Sequence, residues 1–182
     1  MKKIPTLFER DATNRKYVTP DTTPGLEYIL TDGAIATRKY DGTACLVRDN
    51  RLYKRYDAKA GKTPPPEFEP AQPEPDEVTG HWPGWLPVTA GDKWHMEAWN
   101  GVDGHLPDGT YELCGPKIQG NPEGFMGHVL IKHGGLRIRE LSERGLTFTG
   151  LAKWMQGTTY EGVVWWKDGE PVAKLKKRDF PQ

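Results

Sequence analysis

The chain has 182 residues, with 21 glycines, 16 prolines and two cysteines. Its 25 basic and 25 acidic side chains balance, so no overall positive field indicates a nucleic-acid partner, and any basic site has to be local. The glycine and proline content argues against a coiled coil, a solenoid or a helical bundle, and no apolar run is long enough for a transmembrane helix. The N-terminus lacks the apolar stretch of a signal peptide, and two cysteines make no disulfide framework, so we expect a cytoplasmic protein without a membrane partner.

The first half of the chain predicts a short helix, a hairpin and a long loop. Residues 6–10 are expected to start the helix. Residues 43–47 and 52–56 are β-prone and flank Asp49-Asn50, a pair that favours a tight two-residue turn. Residues 62–77 carry six prolines among acidic side chains, so we expect an extended surface loop that cannot pair as a strand.

The second half predicts more strands than helices. We expect one helix over residues 149–157, capped by Thr149 and ended by Gly157. Asp168-Gly169 is the strongest hairpin signal in the sequence. The predicted strands are 94–99, 110–115, 128–131, 163–166 and 171–176. The pattern is typical of an α+β fold with antiparallel sheets.

A tight turn at Asp168-Gly169 predicts the register of the last hairpin. Glu161 then lies opposite Lys176 and Val163 opposite Lys174, so one face carries a carboxylate and two lysines. Such a group suits a metal-bound triphosphate, although a solvated strand face with a cross-strand ion pair has the same pattern. The opposite, core face is expected to carry Val164, Trp166, Ala173 and Leu175.

A short motif, Lys39-Tyr40-Asp41-Gly42, precedes the first predicted strand. Alternation along an extended chain places Lys39 and Asp41 on one face. Taken alone, the motif is equally typical of surface residues that enter a hairpin.

Four segments in order give the sequence a family resemblance: 39–42 (Lys-Tyr-Asp-Gly), 111–115 (Tyr-Glu-Leu-Cys-Gly), 161–164 (Glu-Gly-Val-Val) and 174–176 (Lys-Leu-Lys). They resemble nucleotidyltransferase motifs I, III, IV and V, which ATP-dependent ligases and mRNA capping enzymes share. Residues 108–122 are similar to the small RNA ligase family that includes the vertebrate 5′–3′ RNA ligase. The resemblance implies a single nucleotidyltransferase (adenylation) domain over 1–182, with antiparallel sheets around an ATP cleft. Only six residues follow Lys176, so we expect no OB domain.

By this resemblance, Lys39 attacks the α-phosphorus of ATP and holds AMP as a phosphoramidate. AMP then passes to a 5′-phosphate RNA end, and a 3′-hydroxyl seals the strand, a reaction of RNA repair. Because a free lysine has a pKa near 10.4, we expect neighbouring cations to favour the neutral amine of Lys39. The catalytic residues implied are Lys39, Asp41, Glu112, Glu161, Lys174 and Lys176.

The resemblance also implies cofactor and substrate contacts. The residues for ATP are Lys39, Arg38, Glu112, Phe125, Lys174 and Lys176. The ligands for Mg²⁺ or Mn²⁺ are Glu161 and Asp41, and the RNA phosphate contacts are Arg55, Lys54 and Lys117. The predicted register turns Arg55 away from the side of Lys39, so either a bulge reorients it, or Lys54 replaces it, or the turn is longer than two residues.

Three alternatives share these motifs. The first is the adenylation core of a DNA ligase, with DNA ends as partners. The second is a GTP-using capping enzyme. The third is a non-catalytic protein that binds a nucleotide or RNA.

Overall fold

The computed structural model describes residues 2–181 as a mixture of helices and mainly antiparallel strands, which confirms the α+β class. The strands are β1 (Phe8–Arg10), β2 (Val18–Thr22), β3 (Ile35–Lys39), β4 (Thr43–Arg48), β5 (Arg51–Ala58), β6 (Glu69–Pro70), β7 (Trp82–Pro87), β8 (Gly109–Cys114), β9 (Val129–Lys132), β10 (Gly162–Lys167) and β11 (Glu170–Lys176). The helices are α1 (Tyr28–Thr31), α2 (Lys93–Asn100) and α3 (Phe148–Gly157), with 3₁₀ turns at Arg139–Leu141 and Lys177–Asp179.

The chain forms two compact units. The six-stranded unit comprises Asp41–His133 with Lys2 and Lys3, and its sheet has the order β6-β7-β5-β4-β8-β9. The three-stranded unit comprises Ile4–Tyr40 and the chain from Gly134 onward, with a sheet of order β11-β10-β3 and the separate β1-β2 pair. The expectation of one nucleotidyltransferase domain over 1–182 stays a prediction.

Each unit has its own apolar core. In the three-stranded unit, Trp165, Val163 and Leu175 are fully buried and pack with Leu151 and Met155 of α3. In the six-stranded unit, the core is smaller and forms where β4 and β8 meet α2; its buried members are Cys45, Val47, Leu52, Ala98, Tyr111 and Leu113. Each unit therefore buries apolar side chains of its own sheet against one of its helices.

The hairpin of β4 and β5 matches its predicted register. Asp49 and Asn50 have φ of 51° and 56°, as a type I′ turn requires, and Cys45 lies opposite Lys54. The dipeptide at the tip was therefore enough to fix the pairing.

The hairpin of β10 and β11 has the predicted turn but a different register. Lys167 pairs with Glu170 and Trp166 with Pro171 as expected, yet Trp165 pairs with Ala173, because Val172 is an extra residue on β11. Proline has no N–H for the ladder, and bulges are where sheets accommodate it. The predicted opposition of Glu161 to Lys176 and of Val163 to Lys174 is therefore wrong.

The bulge also changes which residues of β10 face the core. Val163 and Trp165 are fully buried with Ala173 and Leu175, whereas the prediction put Val164 and Trp166 there. Lys174 and Lys176 still lie on the face of β11 opposite Ala173 and Leu175, as predicted. Their partners on β10 are Val164 and Gly162.

Two predicted elements have the wrong type. Residues 6–10 contain β1 instead of a helix, because Leu7 N–H donates to the Lys174 carbonyl and Phe8 pairs with Thr22. Residues 94–99 lie in helix α2 instead of a strand; their Met, Glu and Ala residues are good helix formers. In α3, the capping side chain is Thr147, which accepts from Gly150 N–H, and not Thr149.

The proline-rich segment is mainly irregular, but it does pair. Glu69 and Pro70 form β6, which lies at the edge of the six-stranded sheet against Trp85 and Gly84 of β7. An edge strand needs no N–H donor on its outer side, so proline is tolerated there. The expectation that this segment cannot pair is wrong.

Candidate active site

Three strands bring Lys39, Glu161 and Lys176 together. Lys39 and Lys176 both pair with Gly162, from β3 on one side of β10 and from β11 on the other. Glu161 directly precedes this glycine. Its Oε2 forms an ion pair with Lys39 Nζ, and its Oε1 lies 2.8 Å from Lys176 Nζ. The side chains of Lys39, Glu161 and Lys176 are 20%, 10% and 17% exposed, so one carboxylate joins two lysines in a largely enclosed position.

Gly162 makes this close approach feasible. A Cβ at this position would lie 2.1 Å from the carbonyl oxygen of Leu175, far inside any normal contact. The glycine therefore allows β11 to approach β10 at the point where Lys176 reaches Glu161.

The charge of Glu161 is stabilised in this cluster. Burial acts to raise the pKa of Glu161, but the charges of Lys39 and Lys176 and their hydrogen bonds outweigh burial, and the pKa lies below its ordinary value of 4.5. Glu161 is thus a carboxylate anion at neutral pH.

Lys174 and Arg38 occupy opposite faces of the same sheet. Lys174 pairs with Val164, and Val164 pairs with Thr37. Thr37 is two residues before Lys39 on β3, so the Lys174 position is on the same face of the sheet as Lys39. Arg38 pairs with Val163 on the other face. There its guanidinium lies 4.4 Å from the ring centroid of Tyr40 and 4.2 Å from that of Tyr160.

Glu112 lies in the six-stranded unit, buried and held at both oxygens. Oε1 accepts from Gly42 N–H at 3.1 Å, and Oε2 lies 2.7 Å from His133 Nε2. A Cβ on Gly42 would lie 2.2 Å from the Leu113 carbonyl oxygen, which explains the glycine of the Lys39–Gly42 motif. The contact to His133 was not anticipated, because it depends on the pairing of β8 with β9.

Asp41 and Phe125 also belong to the six-stranded unit. Asp41 follows the end of β3, so the alternation expected between Lys39 and Asp41 does not apply; its N–H donates to Glu123 Oε1 at 3.0 Å. Phe125 is half-buried, and its backbone N–H and carbonyl both bond the side chain of Asn121.

The predicted RNA contacts all belong to the six-stranded unit: Lys54 and Arg55 are consecutive residues of β5, and Lys117 follows β8. Arg55 pairs with Trp85 of β7, donates to Asp57 Oδ1 at 2.8 Å and lies 5.5 Å from the Trp85 ring centroid. β4 and β5 pair in unbroken register from Cys45 to Arg48, which leaves no bulge in that stretch to reorient Arg55.

Lys54 and Lys117 differ in their surroundings. Lys54 Nζ lies 2.5 Å from Asp92 Oδ1. Burial acts to raise the pKa of Asp92, but the hydrogen bonds from Lys54 and Thr89 lower it below its ordinary value. Lys117 is exposed, and its backbone N–H donates to His128 Nε2 at 3.3 Å.

The donor set constrains any metal. Within residues 2–181, His, Cys, Asp and Glu side chains nowhere gather in threes or more at metal-binding distance. A magnesium ion that arrives on nucleotide phosphates needs only one or two protein carboxylates, and Glu161 beside two lysines fits that type of site. None of the helices in these residues has the length and apolar character that a membrane crossing requires.

The chain is a relative of proteins named RNA ligase 1. It is 31% identical to RNA ligase 1 of Pongo abelii and 29% identical to that of Mus musculus, in alignments covering 72% of this chain and 62% of either relative. It is 27% identical to RNA ligase 1 of Danio rerio, over 97% of this chain and 79% of the relative. The chain thus spans less than two thirds of the mammalian proteins. No family model matches the sequence.

Proposed function

We propose that this protein is an ATP-dependent RNA ligase with a nucleotidyltransferase fold. Its relatives are named RNA ligase 1, and its three-stranded unit carries an amine next to an anionic carboxylate and a second amine. The observation that carries the proposal is the cluster of Lys39, Glu161 and Lys176 around Gly162. The cytoplasmic location expected from the sequence stays a prediction.

The proposed first step makes a lysyl adenylate. The neutral Nζ of Lys39 attacks the α-phosphorus of ATP, a nitrogen–phosphorus bond forms, and the bond to the bridging oxygen breaks with release of pyrophosphate. The amine proton leaves to solvent. Because a protonated amine is no nucleophile, the ion pair between Lys39 and Glu161 has to open before the bond forms.

Lys176 and Glu161 have complementary roles in this proposal. Lys176, with Lys174 two residues before it, binds phosphate oxygens as a point charge. Glu161 is the carboxylate that would hold Mg²⁺ or Mn²⁺ in the three-stranded unit. Such an ion neutralises charge on the phosphates.

The later steps use RNA ends. AMP moves from Lys39 to a 5′-phosphate with cleavage of the nitrogen–phosphorus bond, and a 3′-hydroxyl then displaces AMP to form the phosphodiester. The family resemblance assigns Arg38, Glu112 and Phe125 to the nucleotide, and Arg55, Lys54 and Lys117 to RNA phosphates. It also assigns Asp41 to the metal.

Intact-mass spectrometry tests the first step. Incubation with ATP and Mg²⁺ should add one adenylate to the wild-type protein, and acid should remove it, since phosphoramidates are acid-labile. Lys39→Ala should show no adduct, whereas Lys62→Ala, an exposed lysine of the six-stranded unit, should label like wild type. An adduct that persists in Lys39→Ala would disprove the assignment of the nucleophile.

A strand-joining assay tests the rest. Single-stranded and nicked RNA with a 5′-phosphate and a 3′-hydroxyl should be joined with ATP, and labelling with GTP should fail. Joining of nicked DNA alone would indicate a DNA ligase instead. A protein that binds ATP without forming an adduct would be a non-catalytic nucleotide-binding protein.

A further inference from the structure

We infer that an open cleft at the C-terminal end of α3 binds an unpaired nucleotide of single-stranded RNA. The inference rests on the proposed function in one respect, which is that RNA is the substrate. The cleft lies entirely within the three-stranded unit and measures about 680 Å³, which is in the usual range for a nucleotide-sized ligand. Its walls include Glu140, Lys153, Trp154, Gly157, Thr158 and Tyr160.

Two aromatic rings form the apolar part of the cleft. The rings of Trp154 and Tyr160 meet edge to face, with centroids 6.0 Å apart, and both side chains are half-buried. The Arg38 guanidinium lies 4.2 Å from the Tyr160 ring centroid. Unpaired RNA bases stack on aromatic rings, so the Trp154 and Tyr160 rings that line the cleft suit a base.

The charged groups of the cleft suit a phosphate and a base edge. Lys153 is exposed on the wall, and Lys177 Nζ donates to the Thr158 carbonyl at 2.8 Å. Lys153 can neutralise a backbone phosphate within the cleft, and Lys177 adds positive charge beside Thr158 of the cleft wall. Glu140 Oε1 accepts from Trp154 Nε1 at 3.2 Å, so a carboxylate that can also accept a base N–H lies next to the stacking ring.

The position of the cleft relates it to the proposed reaction. Tyr160 immediately precedes Glu161, and Arg38 immediately precedes Lys39. The Tyr160–Arg38 stack and the Glu161–Lys39 ion pair are therefore made by consecutive residues of the same two segments. Because consecutive residues of a strand face opposite sides of a sheet, a nucleotide held by Tyr160 lies on the other side of the three-stranded sheet from the amine that would carry AMP.

Gly157 leaves the cleft open. A Cβ built on it would meet no atom within 4 Å, and its φ is not positive, so a larger side chain can be introduced there without backbone strain. Gly157→Phe therefore fills the cleft, and Gly157→Ala is the matched variant that adds one methyl group.

Fluorescence anisotropy with a labelled single-stranded RNA tests the inference without ATP, and so independently of adenylate formation. Gly157→Phe and Lys153→Glu should each weaken binding about tenfold, the effect of losing one stacked base or one phosphate contact. Gly157→Ala should bind within about twofold of wild type, and so should Lys62→Glu, which makes the same charge change on an exposed lysine of the six-stranded unit. Thermal unfolding of each variant shows that the fold is retained.

The outcomes separate this inference from the proposed function. Equal RNA affinity in wild type, Gly157→Phe and Lys153→Glu would overturn the inference while leaving adenylate formation untouched. Equal loss in Lys153→Glu and Lys62→Glu would show only a general charge effect and also overturn it. A blunt RNA duplex that binds as tightly as the single strand, with the same sensitivity to Gly157→Phe, would contradict the stacking of an unpaired base.

Discussion

The two hairpins of the molecule have similar turns and different ladders. From the turn at Asp49-Asn50, β4 and β5 pair in regular register. From the turn at Asp168-Gly169, β10 and β11 form two regular pairs, and a bulge follows. Asp168 and Gly169 also have positive φ, 50° and 80°, so the turn conformation is not what differs. The difference is Pro171, whose missing N–H interrupts the ladder.

The comparison teaches that a turn fixes register only as far as the next irregularity. In the first hairpin, the register predicted from the turn is correct as far as the pair of Cys45 and Lys54. In the second, the extra Val172 places Gly162, and not Glu161, between Lys39 and Lys176. The bulge therefore sets the spacing of the candidate active site.

The largest expected effect is that of a single-residue deletion, which the two hairpins should tolerate differently. Deleting Tyr53 shifts the rest of β5 against both β4 and β7 and turns every later side chain over, so we expect a loss of about 5 kcal/mol or more and failure to fold. Deleting Val172 removes the bulge and leaves Trp165 opposite Ala173, so we expect a loss of about 1–2 kcal/mol. Urea unfolding measures both, and equal losses would refute the bulge.

Gly162→Ala tests the contact that the bulge creates. The added methyl group would overlap the Leu175 carbonyl, so β10 and β11 must separate, with an expected loss of about 3–4 kcal/mol. Gly157→Ala serves as the control; its Cβ meets open space in α3, and it should gain about 0.5–1 kcal/mol. Similar unfolding midpoints for the two variants would contradict the close approach.

Thr37→Val tests the face of the three-stranded sheet that carries Lys39. Trp166 Nε1 donates to Thr37 Oγ1 at 2.7 Å, and a hydroxyl replaced by a methyl group should cost about 1 kcal/mol. A double-mutant cycle with Trp166→Phe isolates this bond. Additive losses in urea unfolding would show that the two side chains do not interact.

The smallest effect concerns pH and Glu161. Because the pKa of Glu161 in the folded protein is below 4.5, its charged form is favoured on folding. Its contribution is complete above that pH and is lost as the pH falls toward the lower folded-state value. Between neutral pH and about pH 3, the wild type should therefore lose more stability than Glu161→Gln, measured by urea unfolding. Glu67→Gln, at an exposed position, should follow the wild type.

Local signals predicted much of the fold. The dipeptides at 49–50 and 168–169 predicted the positions of both hairpin turns, and the strand and helix patterns predicted the α+β class. The type of residues 94–99 was missed because Trp94-His95-Met96-Glu97 reads as alternating as well as helical. β1 was missed because its pairing with distant residues, such as that of Phe8 with Thr22, outweighs local propensity.

The candidate site was predicted in part. The motifs named Lys39, Glu161 and Lys176, which the structure brings together, and the resemblance to RNA ligases is confirmed by the relatives. Contacts that depend on long-range pairing had no sequence signal. His133 on Glu112 and Arg38 on Tyr160 are examples.

The six-stranded unit enters the chain as an insertion between β3 and the 3₁₀ turn at Arg139–Leu141. The segments that flank it belong to the three-stranded unit and are hydrogen-bonded to each other. Arg38 N–H donates to the Leu136 carbonyl, and Ile138 N–H donates to the Ala36 carbonyl, each at 2.8 Å. An inserted segment whose flanking residues are hydrogen-bonded to each other can change in length without disturbing the sheet into which it is inserted. A short glycine linker from Tyr40 to Gly134 should therefore leave a minimal folded protein, in which the amine and its carboxylate partner are still present.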